Sequence, residues 1–292
     1  MKKIDALIKQ AQLSTATTMA SQALRDDPLN ADIRARYIEL LCVQGEFDKA
    51  DQQLDIMLRQ HPDYVTGAVN LRHLIRAASA RKDFYQAGMT AQLFDEPDAM
   101  FKAQLSLRVA LNDSDIATAV TAAAELESLR QPVAMTINGQ HYHTVRDLDD
   151  SLCGYLELFG TDGHYYLVRF EQIDSLQFKK PESLLDTVWR RAEIFIKDGP
   201  QGDVFVPMTY IQSNSVETSL GRGSDWQQYA DGLVTGIGQK MLLVDDDALA
   251  LTDIQSLGVS DVKDAASTVS NSLGNTVSKS VTDTDSNTVV NQ

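Results

Sequence analysis

The feature that most restricts the fold is a drifting repeat ahead of Pro132. Ala50, Leu54, Met57 and Pro62 stand 34 residues after Ala16, Ala20, Ala23 and Pro28. That period, with a small residue near its centre, fits a tetratricopeptide unit, two antiparallel helices touching at an alanine. Between Asn30 and Pro62, Tyr37 and Leu41 lie one turn apart on a first helix. Gly45-Glu46-Phe47 makes the turn, and Ala50, Leu54 and Met57 carry the second helix towards Pro62. Asp83-Phe84-Ala87 and then Asp115-Ile116-Ala119 repeat Glu46-Phe47-Ala50, at spacings of 37 and 32 residues. Four helix pairs are therefore expected over residues 1–132. Each pair has an apolar face it cannot bury alone, so neighbours stack. Such an array either offers a concave surface to a peptide or helix, or only supports the second half of the chain.

After Pro132 the periodicity becomes that of strands. Met135–Ile137, Asn138-Gly139 and His141–Val145 read as a hairpin around an N-G turn. Leu152–Phe159 and Tyr165–Phe170 are strand-like, as are Glu193–Lys197, Asp203–Pro207 and Lys240–Val244. Ser183–Arg191 reads as a short helix, with Leu184, Leu185, Val188 and Trp189 at helical spacing. Asp186 and Arg190 would then pair at i, i+4. The expected class is α+β: a helical array over 1–132 packed on a mixed, mostly antiparallel α/β domain over 133–257. The junction Gln131-Pro132-Val133 is too short for a flexible linker. Residues 258–292 are rich in Ser, Thr, Asn, Val and Asp with no aromatic, which is the composition of a disordered tail. Val262, Ala266, Val269, Leu273 and Val277 recur there at helical spacing, the alternative being a helix that forms on a partner.

Composition excludes some partners. Across 292 residues the net charge is -15, and the pI is about 4.6. Nucleic acid and anionic membranes would repel such a chain, whereas a basic protein surface would not. Cys42 and Cys153 form no C-x-x-C and no disulfide framework, so buried free thiols are expected. The opening M-K-K-I-D-A-L-I-K-Q lacks the apolar core of a signal peptide, and no run reaches the ~20 apolar residues of a membrane span. A cytoplasmic protein is the expectation.

Chemistry-bearing residues are sparse. His141 and His143 alternate on a strand, but no third metal ligand is marked nearby. Arg146, Asp147, Asp149 and Asp150 form a charged cluster that suits either turn capping and ion pairs or, as paired carboxylates, acid–base chemistry or Mg²⁺. Gly236-Ile237-Gly238 lacks the third glycine of a dinucleotide fingerprint, and Gly221-Arg222-Gly223 is not a Walker loop. Ser213, Ser215, Ser219 and Ser224 have no G-x-S-x-G setting. No cofactor, metal or catalytic set is assigned. Trp189 and Trp226 each read as core or as an interface anchor, Trp226 within a polar G-R-G-S-D-W loop.

Taken together, five stretches carry a resemblance. They are R-D-L-D-D (146–150), P-E-S-L-L-D-T-V-W-R-R (181–191), D-G-P-Q-G-D-V-F-V-P (198–207), G-R-G-S-D-W (221–226) and G-I-G-Q-K (236–240). In this order, behind a degenerate helical array, they resemble the ImpE/TagJ/SciE family over roughly residues 1–257. Ser224 and Lys240 stand where the pattern leads one to expect Thr and Arg. The resemblance implies a non-enzymatic accessory protein of the bacterial type VI secretion system. It would bind the N-terminal helix of the small, TssB-like sheath subunit and help the AAA+ ATPase ClpV disassemble the contracted sheath. The family supplies no site residues. From residue chemistry alone, Arg190, Arg222, Asp225 and Trp226 are the candidates for the partner-binding surface. The alternative is an enzyme in which Asp147, Asp149, Asp150, Arg190, Arg222 and Asp225 converge in one cleft.

Overall fold

Helices α1 (Lys2–Lys9), α2 (Leu13–Asp26), α3 (Ala31–Val43), α4 (Phe47–Gln60), α5 (Val65–Tyr85), α6 (Ala99–Asn112) and α7 (Ile116–Leu129) come first. Strands succeed them: β1 (Met135–Ile137), β2 (Gln140–Tyr142), β3 (Val145–Asp147), β4 (Tyr155–Gly160), β5 (Tyr165–Arg169), β6 (Ile173–Phe178), β7 (Trp189–Ile196) and β8 (Gln201–Pro207). The one-turn helix α8 (Val216–Ser219) precedes β9 (Ser224–Ala230), β10 (Leu233–Gly238), β11 (Met241–Val244), β12 (Asp247–Ala250) and β13 (Ser256–Val259). This computed structural model describes residues 1–259 other than Ala87, Met89, Thr90 and Asn214. From Ser260 on, the expected tail lies outside the described residues.

The tetratricopeptide logic holds locally. Ala16 and Ala20 of α2 and Ala50 of α4 are fully enclosed where helices touch. Gly45 ends α3 at φ +72°, a left-handed conformation that costs glycine nothing. Asn30, Asp98 and Asp115 cap α3, α6 and α7, each accepting a backbone N–H three residues on. The expected pair around Asp83-Phe84-Ala87 is a correction. Asp83 and Phe84 end the long helix α5, and the chain then runs along the sheet, Gln92 bridging Tyr166 in parallel. Phe84 packs on Tyr165, with ring centroids 5.6 Å apart, so the sheet takes the place of a partner helix. The described helices make three pairs and one long single helix.

Eight strands form an antiparallel sheet in the order β2-β1-β13-β6-β7-β8-β4-β5. Strands β12-β11-β3 make a second sheet, and β10-β9 a two-stranded one. Asn138 and Gly139 both take positive φ, as a two-residue N-G hairpin turn requires. Gly258 and Val259, expected in the tail, pair with Thr136 and Met135.

The short helix expected at Ser183–Arg191 is also a correction: only a 3-10 turn, Leu185–Thr187, precedes β7. From Ala192 onward buried Ala192, Ile194 and Ile196 alternate with exposed Glu193 and Phe195, and this period of two, with ladder pairing to β8 that starts at Trp189, overrides the local helical spacing. Asp186 accordingly caps the backbone N–H groups of Glu182 and Ser183 rather than pairing with Arg190.

Residues 1–259 form one compact unit. A single core joins Leu107 and Ala123 of the helices to Phe159, Trp189 and Tyr210 of the sheet region. A second lies within the sheets, around Leu156, Ile173, Leu176 and Val206. A third closes α1–α3 against Leu220.

Candidate binding clefts where the helices meet the sheet

A charged cluster lies at the junction. Arg81 of α5 donates Nε and Nη2 to the two carboxylate oxygens of Glu157 on β4, each at 2.7 Å, and Nη2 also reaches the Thr209 carbonyl at 2.9 Å. Lys240 Nζ lies 2.5 Å from Glu157 Oε2, and both side chains are 0 % exposed. The Tyr165 hydroxyl donates to Glu157 Oε1 at 2.7 Å. Burial alone would raise the Glu157 carboxyl, but Arg81 and Lys240 outweigh it and hold it well below the usual carboxylate range. Asp147, buried beside them, is pushed up to about 7 by burial, which Lys240 only partly offsets.

Two clefts flank this cluster. The first, about 340 Å³, runs between the α3–α4 turn, α5 and the Thr209–Ser213 segment. Arg81, Tyr210 and Trp189 line it, and the exposed side chains of Gln44, Lys82 and Gln86 stand at its rim. The second is a groove of about 220 Å³ between α3, α4 and α5 on one side and Leu185, Trp189 and Phe205 on the other. Its floor is apolar, with Ile38, Leu54, Met57 and Leu71, and Glu39 and Asp186 are its acidic residues. Exposed Leu29 (64 %) and Tyr64 (47 %) border a shallow pocket that shares Tyr64 with the groove.

The residues singled out from sequence are distributed differently. Arg190 donates to the carbonyls of Lys179, Thr252 and Ile254 and stacks over Phe178 at 4.8 Å. Arg222 donates to the carbonyls of Ile8 and Lys9, closing the end of α1. Both guanidinium groups are thus occupied by backbone. Asp225 and Trp226 lie on strand β9 rather than in a loop, Asp225 Oδ1 accepting the Trp226 N–H at 2.8 Å. Trp226 is 38 % exposed, and its ring centroid is 6.0 Å from that of Tyr210.

Asp147 Oδ1 accepts from the Tyr210 hydroxyl at 2.8 Å. Asp149 and Asp150 accept the N–H groups of Gly236 and Val234, finishing the free edge of β10. The R-D-L-D-D stretch is therefore a side-chain edge for that strand. None of the six residues of the enzyme alternative lines either cleft, and they do not converge. Gly236 is required because a Cβ there would stand 2.2 Å from the Tyr210 ring. Among the described residues no three His, Cys, Asp or Glu side chains gather as a metal site, and no helix is long and apolar enough to cross a membrane. His143 instead meets Asp245, at 3.3 Å.

Sequence reasoning missed Arg81, Glu157, Lys240 and the groove. The available signal was a lone charge inside an apolar run, as in Tyr155-Leu156-Glu157-Leu158-Phe159. A charge so placed needs a buried partner.

Comparison with known proteins agrees with this architecture. Residues 139–258 match the family model described as ImpE protein, and residues 7–71 match a tetratricopeptide repeat. The chain is 24 % identical over 249 residues to the type VI secretion system accessory component TagJ of Pseudomonas aeruginosa, covering 84 % of this chain and 86 % of that protein. The crystal structure of protein VPA1032 from Vibrio parahaemolyticus is 38 % identical. It superposes with a TM-score of 0.86 over 89 % of this chain and 98 % of its own. With the helical repeat and the antiparallel sheets in place, residues 139–258 are an ImpE domain behind a tetratricopeptide-like array, and the whole chain is similar to a type VI secretion accessory component.

Proposed function

We propose that this chain is a non-enzymatic accessory protein of a bacterial type VI secretion system. It binds the N-terminal helix of the small, TssB-like sheath subunit and assists ClpV-dependent sheath disassembly. The ImpE domain and the accessory relative support the setting. The observation that carries the binding role is the open apolar groove between α3–α5 and Trp189. An amphipathic helix buries its apolar face in such a groove. Glu39 and Asp186 would meet a basic residue on that helix, in keeping with a chain of net charge -15. Asp225 and Trp226 form a second exposed surface for the same partner, whereas Arg190 and Arg222 serve the fold.

The test is titration of a labelled peptide of that helix. Affinity should be on the order of micromolar, because one helix buries little area and is ordered on binding. Gly67 lines the groove, and a Cβ there meets nothing within 4 Å, so Gly67→Glu puts a side chain into the groove from a position with room for its Cβ. We expect Gly67→Glu and Tyr64→Ala each to weaken binding about tenfold or more. If both bind like wild type while Trp226→Ala loses affinity, the partner lies on β9 and not in the groove. If wild type itself does not bind, the adaptor role fails.

A further inference from the structure

The first cleft differs in chemistry from the groove. In a chain of net charge -15, its described lining residues include Arg81 and Lys82 and no Asp or Glu. Behind the wall, Arg81 and Lys240 share the single carboxylate of Glu157. Asp147, the next carboxyl, is held towards its neutral form by burial. The charged side chains that face the cleft itself are therefore the cations Arg81 and Lys82. Among the described residues no hydrogen-bond partner takes Arg81 Nη1, while Nε and Nη2 are committed to Glu157 and Thr209.

The rest of the lining supplies a second kind of contact. Phe47, Phe159, Trp189 and Tyr210 give apolar and aromatic surface, and Ser213 and Ser219 give hydroxyls. A volume of about 340 Å³ is at the lower end for ligand sites, which run from roughly 300 to 1,000 Å³. Such a space takes a single ring with a short acidic arm. A guanidinium held by a carboxylate on one side is oriented to receive a second carboxylate on the other.

We infer that this cleft binds a carboxylate attached to an aromatic or apolar group, with Arg81 and Lys82 receiving the carboxylate and Trp189 the apolar body. Two sources share that chemistry: a free small acid and the C-terminal residue of a peptide. The site is separate from the helix groove, although Trp189 borders both. Occupancy on one side of Trp189 would then be felt on the other.

The chain has two tryptophans, so in Trp226→Phe the emission reports Trp189 alone. The full-length Trp226→Phe protein is titrated with phenylacetate, phenylacetamide, the dipeptide Gly-Phe, its C-terminal amide and inorganic phosphate. We expect saturable changes with at least one carboxylate at a Kd of about 1 mM or below. The matching amide should bind about tenfold more weakly, since it forfeits a charge-assisted bond. Tighter binding of Gly-Phe than phenylacetate assigns the site to peptide C-termini, and the reverse order to free acids. Lys82→Glu, at an exposed position, should weaken the carboxylate several-fold while leaving Tm unchanged. The proposal is overturned if neither carboxylate gives a saturable change, if acid and amide bind alike, if phosphate binds as well as phenylacetate, or if Lys82→Glu has no effect.

Discussion

Glu157→Gln tests what the buried charges contribute. In the wild type one carboxylate balances two enclosed cations, Arg81 at 2.7 Å and Lys240 at 2.5 Å. The substitution is nearly isosteric but leaves both cations uncompensated. Breaking a buried pair by removing one partner costs about 3–5 kcal/mol. For a unit of this size that lowers Tm by roughly 6–20 °C, at about 2–4 °C per kcal/mol. The assay is thermal unfolding at pH 7, repeated down to about pH 3.

The sign with pH comes from the depressed Glu157 carboxyl. Below about pH 4.3 the unfolded chain takes up a proton there that the folded chain does not. The stabilisation is complete above that pH and is lost on acidification, so the gap between wild type and variant should narrow as pH falls. Glu157→Gln/Lys240→Met removes one of the stranded cations and should recover part of the loss. A Tm within about 2 °C of wild type at pH 7, or a gap that widens in acid, would refute the assignment of stability to this cluster.

Burial sets two more outcomes. Trp189, 7 % exposed and edge-on to Phe159 at 5.5 Å, should cost about 3–5 kcal/mol as Trp189→Ala. Trp226→Ala should cost under about 1 kcal/mol, so equal losses in chemical denaturation would contradict the core and surface placement. Asp147 is pushed up to about 7, so the folded chain holds its proton where the unfolded chain has released it. That contribution is full below about pH 4 and is lost as pH rises towards 7. Asp147→Asn should therefore gain Tm relative to wild type between pH 5 and pH 8, and a difference that does not move with pH would rule this out.

The repeat is legible in the sequence because its signals are local: a glycine at the α3–α4 turn, alanines where helices touch, capping Asp115. The N-G hairpin is legible for the same reason. Leu184, Leu185 and Val188 have helical spacing with Trp189, and only pairing with β6 and β8 selects the strand. Among the described residues after Asp83-Phe84, the bridge of Gln92 to Tyr166 likewise depends on a distant element, β5. Site residues are the hardest to read. Arg190, Arg222 and Asp147 look functional as a string of charges beside glycines, yet their partners are backbone carbonyls and a tyrosine far along the chain. Arg81, Glu157 and Lys240 lie in separate segments, so the apolar run around Glu157 signals a buried partner without saying which residue it is.

Arg222 grips the carbonyls of Ile8 and Lys9 across 214 and 213 residues of sequence. Leu220 beside it completes the apolar cluster of Ile4, Ile8 and Leu13. The first helix of the array is therefore finished by a segment made more than 200 residues later. At roughly 5–20 residues per second, the nascent chain waits on the order of ten seconds or more for that segment. Contacts of such sequence separation also form late and slowly in the isolated chain. During that interval the face of α1 and α2 that Leu220 will cover stays open, so the opening helices are exposed to proteases and chaperones until the sheet region emerges.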